Sequence, residues 1–131
     1  MARKNKWLER DLLTLPHITL CLNEKDFKAT VKSIMKGGYV PEFLVSGAHG
    51  TMHTFESTDG GMPTCVVCIQ PHESDPISTT SLIVHEAVHV WQVFRDYIGE
   101  KDPSREFEAY GVQRIAHILL QEYERQTANK D

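Results

Sequence analysis

Residues 80–98 read TSLIVHEAVHVWQVFRDYI and form the most apolar helix that the sequence predicts. Its apolar side chains recur on nearly every side of a helical wheel, which is typical of a helix buried at the centre of a protein. Asp75 or Ser78 is predicted to cap its N-terminus, and Gly99 to end it. We therefore expect one long helix around which the rest of the chain packs.

Within this stretch, His85, Glu86 and His89 form the pattern His-Glu-x-x-His. Residues four apart lie on the same helix face about one turn from each other, so one cation can bind both imidazoles. Glu86 lies about 100° further round the helix, beside such a cation, where it could take a proton from a water that the metal activates. The HExxH pattern predicts a Zn2+ site with Glu86 as catalytic base, rather than two ordinary core histidines with Glu86 at the surface.

The remaining chain alternates between strand and helix patterns. A strand is predicted over 17–22 and a helix over 24–36, capped by Asn23. Turn residues separate three further short runs, 42–46, 51–56 and 64–70, which we interpret as an antiparallel meander. A last helix is predicted over 104–126, with Asp102 as its cap, and residues 1–13 are predicted to contain a short helical turn. The expected fold class is α+β, a small antiparallel sheet packed on helices.

The composition is that of one ordinary soluble domain spanning residues 1–131. The chain is 40% hydrophobic, enough for a core at this length, and its formal net charge of -4 argues against nucleic-acid binding. No segment has the roughly 18 to 20 apolar residues of a membrane helix, and no signal peptide is recognised, so we expect a cytoplasmic protein without a membrane partner. Cys65 and Cys68 alternate within a strand pattern and are expected to be small buried residues rather than metal ligands.

A catalytic zinc site needs a third protein ligand and one open position. The last helix offers Glu106 and Glu108, which point to nearly opposite sides of that helix. Helical phase favours burial of Glu108, because it falls among apolar residues of the same face. Glu106 lies on the more polar face, which would have to line the site for Glu106 to bind the metal. The residues alone leave both open.

The run His85 to His89, followed by Glu106-Phe107-Glu108-Ala109 on a later helix, resembles the gluzincin metallopeptidases, including small single-domain members encoded by phages or associated with toxins. The resemblance covers residues 78 to about 117. It implies a zincin-like fold, peptide-bond hydrolysis, and Glu106 as third zinc ligand, with Ala109 as the small residue that lets the two helices approach. Several of these families have Asp where this chain has Tyr110.

Two consequences follow from that departure and from the resemblance. Orientation of a zinc histidine would have to come from another residue, such as Gln113 or Asp96, and Tyr110 is a candidate catalytic hydrogen-bond donor to the oxyanion. The relatives bind peptide substrates by strand addition to an edge strand before the metal helix, which maps onto residues 64–70.

Two other functions remain in competition with a peptidase that acts on a protein or peptide substrate. One is a zinc-stabilised binding module, without turnover, of a phage or toxin system. The other is an interaction domain that binds no metal. Glu86 counts against the first, since a purely structural site does not need that carboxylate.

Overall fold

The computed structural model describes residues 14–128. The short helical turn expected within residues 1–13 lies outside this range. The described elements are β1 (His17–Cys21), α1 (Glu24–Met35), β2 (Gly50–Phe55), β3 (Thr64–Ile69), α2 (Pro76–Tyr97) and α3 (Arg105–Thr127). The fold class is α+β, as predicted, with three helices and one small sheet in the described part of the chain. Residues 42–46, expected to form a strand, form none.

The sheet is mixed rather than antiparallel, which corrects the expected meander. Its strand order is β1-β3-β2: β3 pairs in parallel with β1 and antiparallel with β2. The segment 64–70 was expected to be an uncovered edge, and this is wrong, because β3 is the central strand. Its sequence TCVVCI is a continuous apolar run, typical of a strand buried on both faces. The edge strand that lies against α2 is β2.

The two faces of β3 contribute to two hydrophobic clusters. Cys65, Val67 and Ile69 pack toward α2 and α3, whereas Val66 and Cys68 pack toward α1. Both cysteines are fully buried, as the sequence predicted. Burial raises the pKa of the Cys65 thiol to about 11, so this thiol is protonated and unreactive at neutral pH.

Side chains fix where each helix begins. Asn23 caps α1 by accepting a hydrogen bond from the Asp26 amide, and Asp75 caps α2 by accepting one from the Ser78 amide at 3.0 Å. The expected cap of α3 is corrected: Ser104 rather than Asp102 accepts the hydrogen bond from the Phe107 amide. None of the helices within residues 14–128 has the length and apolarity needed to cross a membrane.

Helix α2 is buried on one side only, although its sequence is apolar nearly all the way round. Its core side contacts the sheet and α3, where Trp91 lies against Gly111 and against the ring of Phe107, with ring centroids 5.3 Å apart. Val84 and Tyr97 are exposed despite their apolar character. The layered fold therefore holds α2 firmly from one side and leaves the other side open.

Candidate metal centre

The open side of α2 borders a groove whose opposite wall is the start of β2 and the loop before it. Two cavities of about 540 and 480 Å3 lie in this groove, and Ala48, Gly50, His85 and Glu86 line both of them. His89 lines the second. The fold thus places all three polar residues of the HExxH run on the wall of one groove.

His85 and His89 stand close enough to share one ion. Their ring centroids are 5.0 Å apart at an interplanar angle of 75°. Two imidazoles bound to one tetrahedral zinc at roughly 2.0 to 2.1 Å have ring centroids about 5 Å apart. His85 is exposed and His89 is half-buried. The spacing of the two rings is compatible with two ligands of one zinc ion, at a position open to solvent.

Gln92 holds the ring of His89. The Nδ1 atom of His89 donates a hydrogen bond to Oε1 of Gln92 at 2.9 Å. With its proton on Nδ1, the ring has its lone pair on Nε2, the form that binds a metal. The orienting residue expected from the sequence was Gln113 or Asp96, and neither makes this contact. The position of Gln92 could have identified it from the sequence, because Gln92 lies three residues after His89 on the same helix face.

Glu86 is the buried member of the group. Glu86 is only 4% exposed. Gly50 lies close to its carboxylate, since a Cβ atom added to Gly50 would lie 3.3 Å from Oε1 of Glu86. Burial raises the pKa of the Glu86 carboxyl, while His85, His89 and His53 oppose the rise. The structure does not have the alternative arrangement, in which both histidines are buried and Glu86 lies at the surface.

The two candidate third ligands lie elsewhere. Oε2 of Glu108 accepts a hydrogen bond from Nε1 of Trp91 at 3.1 Å. Trp91 lies roughly 120° to 160° round α2 from the two histidines. Glu106 is exposed on α3. Within residues 14–128, no three or more His, Cys, Asp or Glu side chains form a group that could hold a metal. The structure therefore brings neither glutamate to His85 and His89.

The other residues that the resemblance singled out also lie away from the groove. Tyr110 is 66% exposed and lines neither groove cavity. Ala109 is exposed. The small residue at the contact between α2 and α3 is Gly111, where an added Cβ would lie 2.4 Å from the Trp91 ring. The family pattern pointed to Ala109, and no local signal pointed to Gly111, because which residue of α3 meets α2 depends on how the two helices pack.

The chain was compared with known proteins at the level of families, curated sequences and structures. No protein-family model matches it, and no curated protein and no solved structure is similar enough to count as a match.

Proposed function

We propose that this protein is a zinc-dependent metallopeptidase with a zincin-like site, in which His85 and His89 bind the metal and Glu86 is the catalytic base. One observation carries the proposal. The buried Glu86 carboxylate lies directly beside a histidine pair with zinc-like spacing, on the wall of an open groove.

The histidine pair fits zinc by both geometry and chemistry. The centroid separation of 5.0 Å matches two ligands of one ion, and the hydrogen bond from His89 to Gln92 leaves Nε2 free to bind it. Bound zinc supplies a Lewis acid that lowers the pKa of water toward neutrality and polarises a carbonyl group. The third ligand remains a prediction from the sequence, where the resemblance implies Glu106.

Glu86 moves the proton in the proposed reaction. Its carboxylate accepts a proton from the attacking water and later passes it to the leaving amine. Burial raises the pKa of the carboxyl, and the nearby histidines oppose the rise. A base whose pKa is shifted toward neutral pH transfers protons better near that pH than an exposed carboxylate does. Gly50 leaves space for this carboxylate on the opposite wall, because a Cβ atom there would lie 3.3 Å from Oε1 of Glu86.

A peptide substrate has a binding surface beside the histidines. In the described part of the chain, β2 pairs with β3 only, so its other edge is open to strand addition. Gly50 and Met52 of β2 line the same cavity as His85, Glu86 and His89. An extended peptide on β2 would therefore run along the groove, past Glu86.

An enzyme is favoured over a zinc-stabilised binding module by the exposure of the pair. Structural zinc sites are closed by four protein ligands, whereas catalytic sites keep a position open for water or substrate. His85 is exposed and lines a cavity of about 540 Å3. A buried carboxylate next to the pair has no function in a structural site.

The test combines metal content with turnover. The untagged protein, purified without chelators, is expected to contain one zinc per chain and to cleave members of a peptide library read by mass spectrometry. Glu86→Gln is expected to keep the zinc and lose about 10²- to 10⁴-fold in rate. Glu124→Gln, which changes an exposed glutamate of α3, is the matched control and should keep full activity. Full activity of Glu86→Gln contradicts the proposed role, and zinc without turnover in the unmodified protein favours the binding module.

The third ligand is tested by two variants of one helix. The resemblance predicts that Glu106→Gln weakens zinc binding by at least tenfold, because it would remove a charged ligand. The described arrangement, in which neither glutamate lies at His85 and His89, predicts no change. Glu108→Gln is expected to leave zinc binding unchanged, since its carboxylate bonds to Trp91. The reverse result assigns Glu108 as the ligand, and two unchanged affinities exclude both glutamates.

A further inference from the structure

A second pair of histidines lies at the other end of the groove. The rings of His49 and His72 have centroids 4.7 Å apart at an interplanar angle of 53°. Both side chains line the cavity of about 540 Å3 that His85 and Glu86 also line. They come from two separate loops, one before β2 and one before α2, so tertiary structure brings them together. The HExxH pattern does not include them.

The backbone of both loops is held by hydrogen bonds. The Gln70 amide donates to the His49 carbonyl at 2.8 Å, which joins the two loops next to the pair. The His72 amide donates to Oγ1 of Thr79 at 2.8 Å, and Thr79 is fully buried. The two imidazoles therefore stand on fixed supports, which reduces the entropy lost when a ligand binds both.

Two serine hydroxyls in the cavity around the pair already donate their protons elsewhere. The Ser78 hydroxyl donates its proton to the Asp75 carboxylate at 2.6 Å, and the Ser81 hydroxyl donates to the Ile77 carbonyl at 2.9 Å. Both serines line the cavity, so each can present an oxygen that accepts. These oxygens can bind a cation beside the two imidazoles. The chain also has a formal net charge of -4, which favours a cation.

We propose that His49 and His72 form a second site for a divalent first-row metal ion such as Zn2+ or Ni2+, separate from the site of His85 and His89. Two imidazoles on one such ion have ring centroids about 4.5 Å apart at a right angle and about 5.2 Å apart at the tetrahedral angle. The separation of 4.7 Å falls between these values. With two protein ligands, this site exchanges its ion readily and leaves positions for water or for a ligand in the cavity.

The test is metal titration of the full, untagged chain after removal of metal by a chelator. Isothermal titration with Ni2+ is expected to give two ions per chain for the unmodified protein and one for the double variant His49→Gln/His72→Gln. The double variant His85→Gln/His89→Gln should also bind one ion, now on the second pair. His117→Gln changes an exposed histidine of α3 and serves as the control, with two ions expected. Circular dichroism confirms that each variant is folded.

Cu2+ gives a second readout. In the His85→Gln/His89→Gln protein, electron paramagnetic resonance is expected to show coordination by two imidazole nitrogens, which the further change His49→Gln reduces to one. An unchanged ion count in His49→Gln/His72→Gln, or no ion bound by His85→Gln/His89→Gln, overturns the second site. Because each pair is removed separately, loss of the HExxH site alone would contradict the proposed peptidase and leave the second site standing.

Discussion

The two sides of α2 differ in what they contact and in what they expose. On one side Trp91 is enclosed by α3, with the Phe107 ring at 5.3 Å, and Gly111 leaves no room for another carbon atom. On the other side His85 and His89 face a groove, and Glu86, at the border of the two sides, is buried but lines the same groove. The packed side stabilises the fold because the side chains of α2 and α3 fit closely against one another. The groove side instead holds a buried carboxylate that makes folding less favourable.

The two sides of α2 therefore have different functions. The contact with α3 fixes the position of α2, so the groove side can place a carboxylate and two imidazoles where stability alone would not put them. Substitutions on the packed side should therefore reduce stability. Those on the groove side should change metal binding or turnover and leave stability nearly unchanged or higher.

The largest effect is expected for Trp91→Ala. It leaves a cavity between α2 and α3 and removes the hydrogen bond to Glu108, so it should lower the free energy of unfolding by about 3 to 5 kcal/mol. Urea unfolding of the metal-free protein measures this. Val84→Ala, at an exposed apolar position of the same helix, is the control and should change stability by less than about 0.5 kcal/mol. Equal losses in both variants would remove the distinction between the two sides.

Gly111→Ala should come next, with a loss of about 1 to 3 kcal/mol. Alanine is normally about 1 kcal/mol better than glycine inside a helix, but here the new Cβ meets the Trp91 ring at 2.4 Å, and overpacking outweighs the gain. The reverse change at exposed Ala109, Ala109→Gly, gives the ordinary preference in the same helix. A Gly111→Ala protein that is more stable than the unmodified chain would show that α3 can move away freely.

Glu86→Gln should raise the stability of the metal-free protein by about 1 kcal/mol at pH 7. Burial raises the pKa of this carboxyl above its ordinary value of 4.5, so the folded state binds more protons than the unfolded state above that pH. Stability of the unmodified protein therefore falls as pH rises from 4.5 through the raised pKa, and the glutamine variant lacks this fall. Urea unfolding between pH 4 and pH 8 tests it, with Glu124→Gln as control. An advantage that is constant with pH would contradict the explanation.

The smallest effect on stability is expected for Gln92→Ala, less than about 0.5 kcal/mol, because Gln92 is exposed. Loss of the hydrogen bond to Nδ1 of His89 should nevertheless weaken zinc binding by about 10- to 100-fold. Competition with a chromogenic chelator measures the affinity, and Gln121→Ala, at an exposed position of α3, is the control. Unchanged affinity would mean that Gln92 does not orient His89.

Much of the fold could be predicted from local patterns. Turn residues located the ends of β2 and β3. Asn23 marked the start of α1, and Asp75 was one of two candidate caps for α2, because these signals act within a few residues. Strand order could not be predicted in the same way. The parallel pairing of β1 with β3 joins residues more than forty positions apart, such as Cys21 and Cys68, and no local pattern encodes it.

The candidate site, like the fold, could be predicted only in part. The sequence alone was enough to place His85, Glu86 and His89 in one region of one helix, because helical spacing fixes their relative positions. Three features required the folded structure: Glu86 is buried while His85 is exposed, α3 contacts α2 through Trp91, and His49 and His72 line the same groove. Burial and contacts between distant segments depend on how the layers pack, and the spacing of residues along one helix cannot specify this.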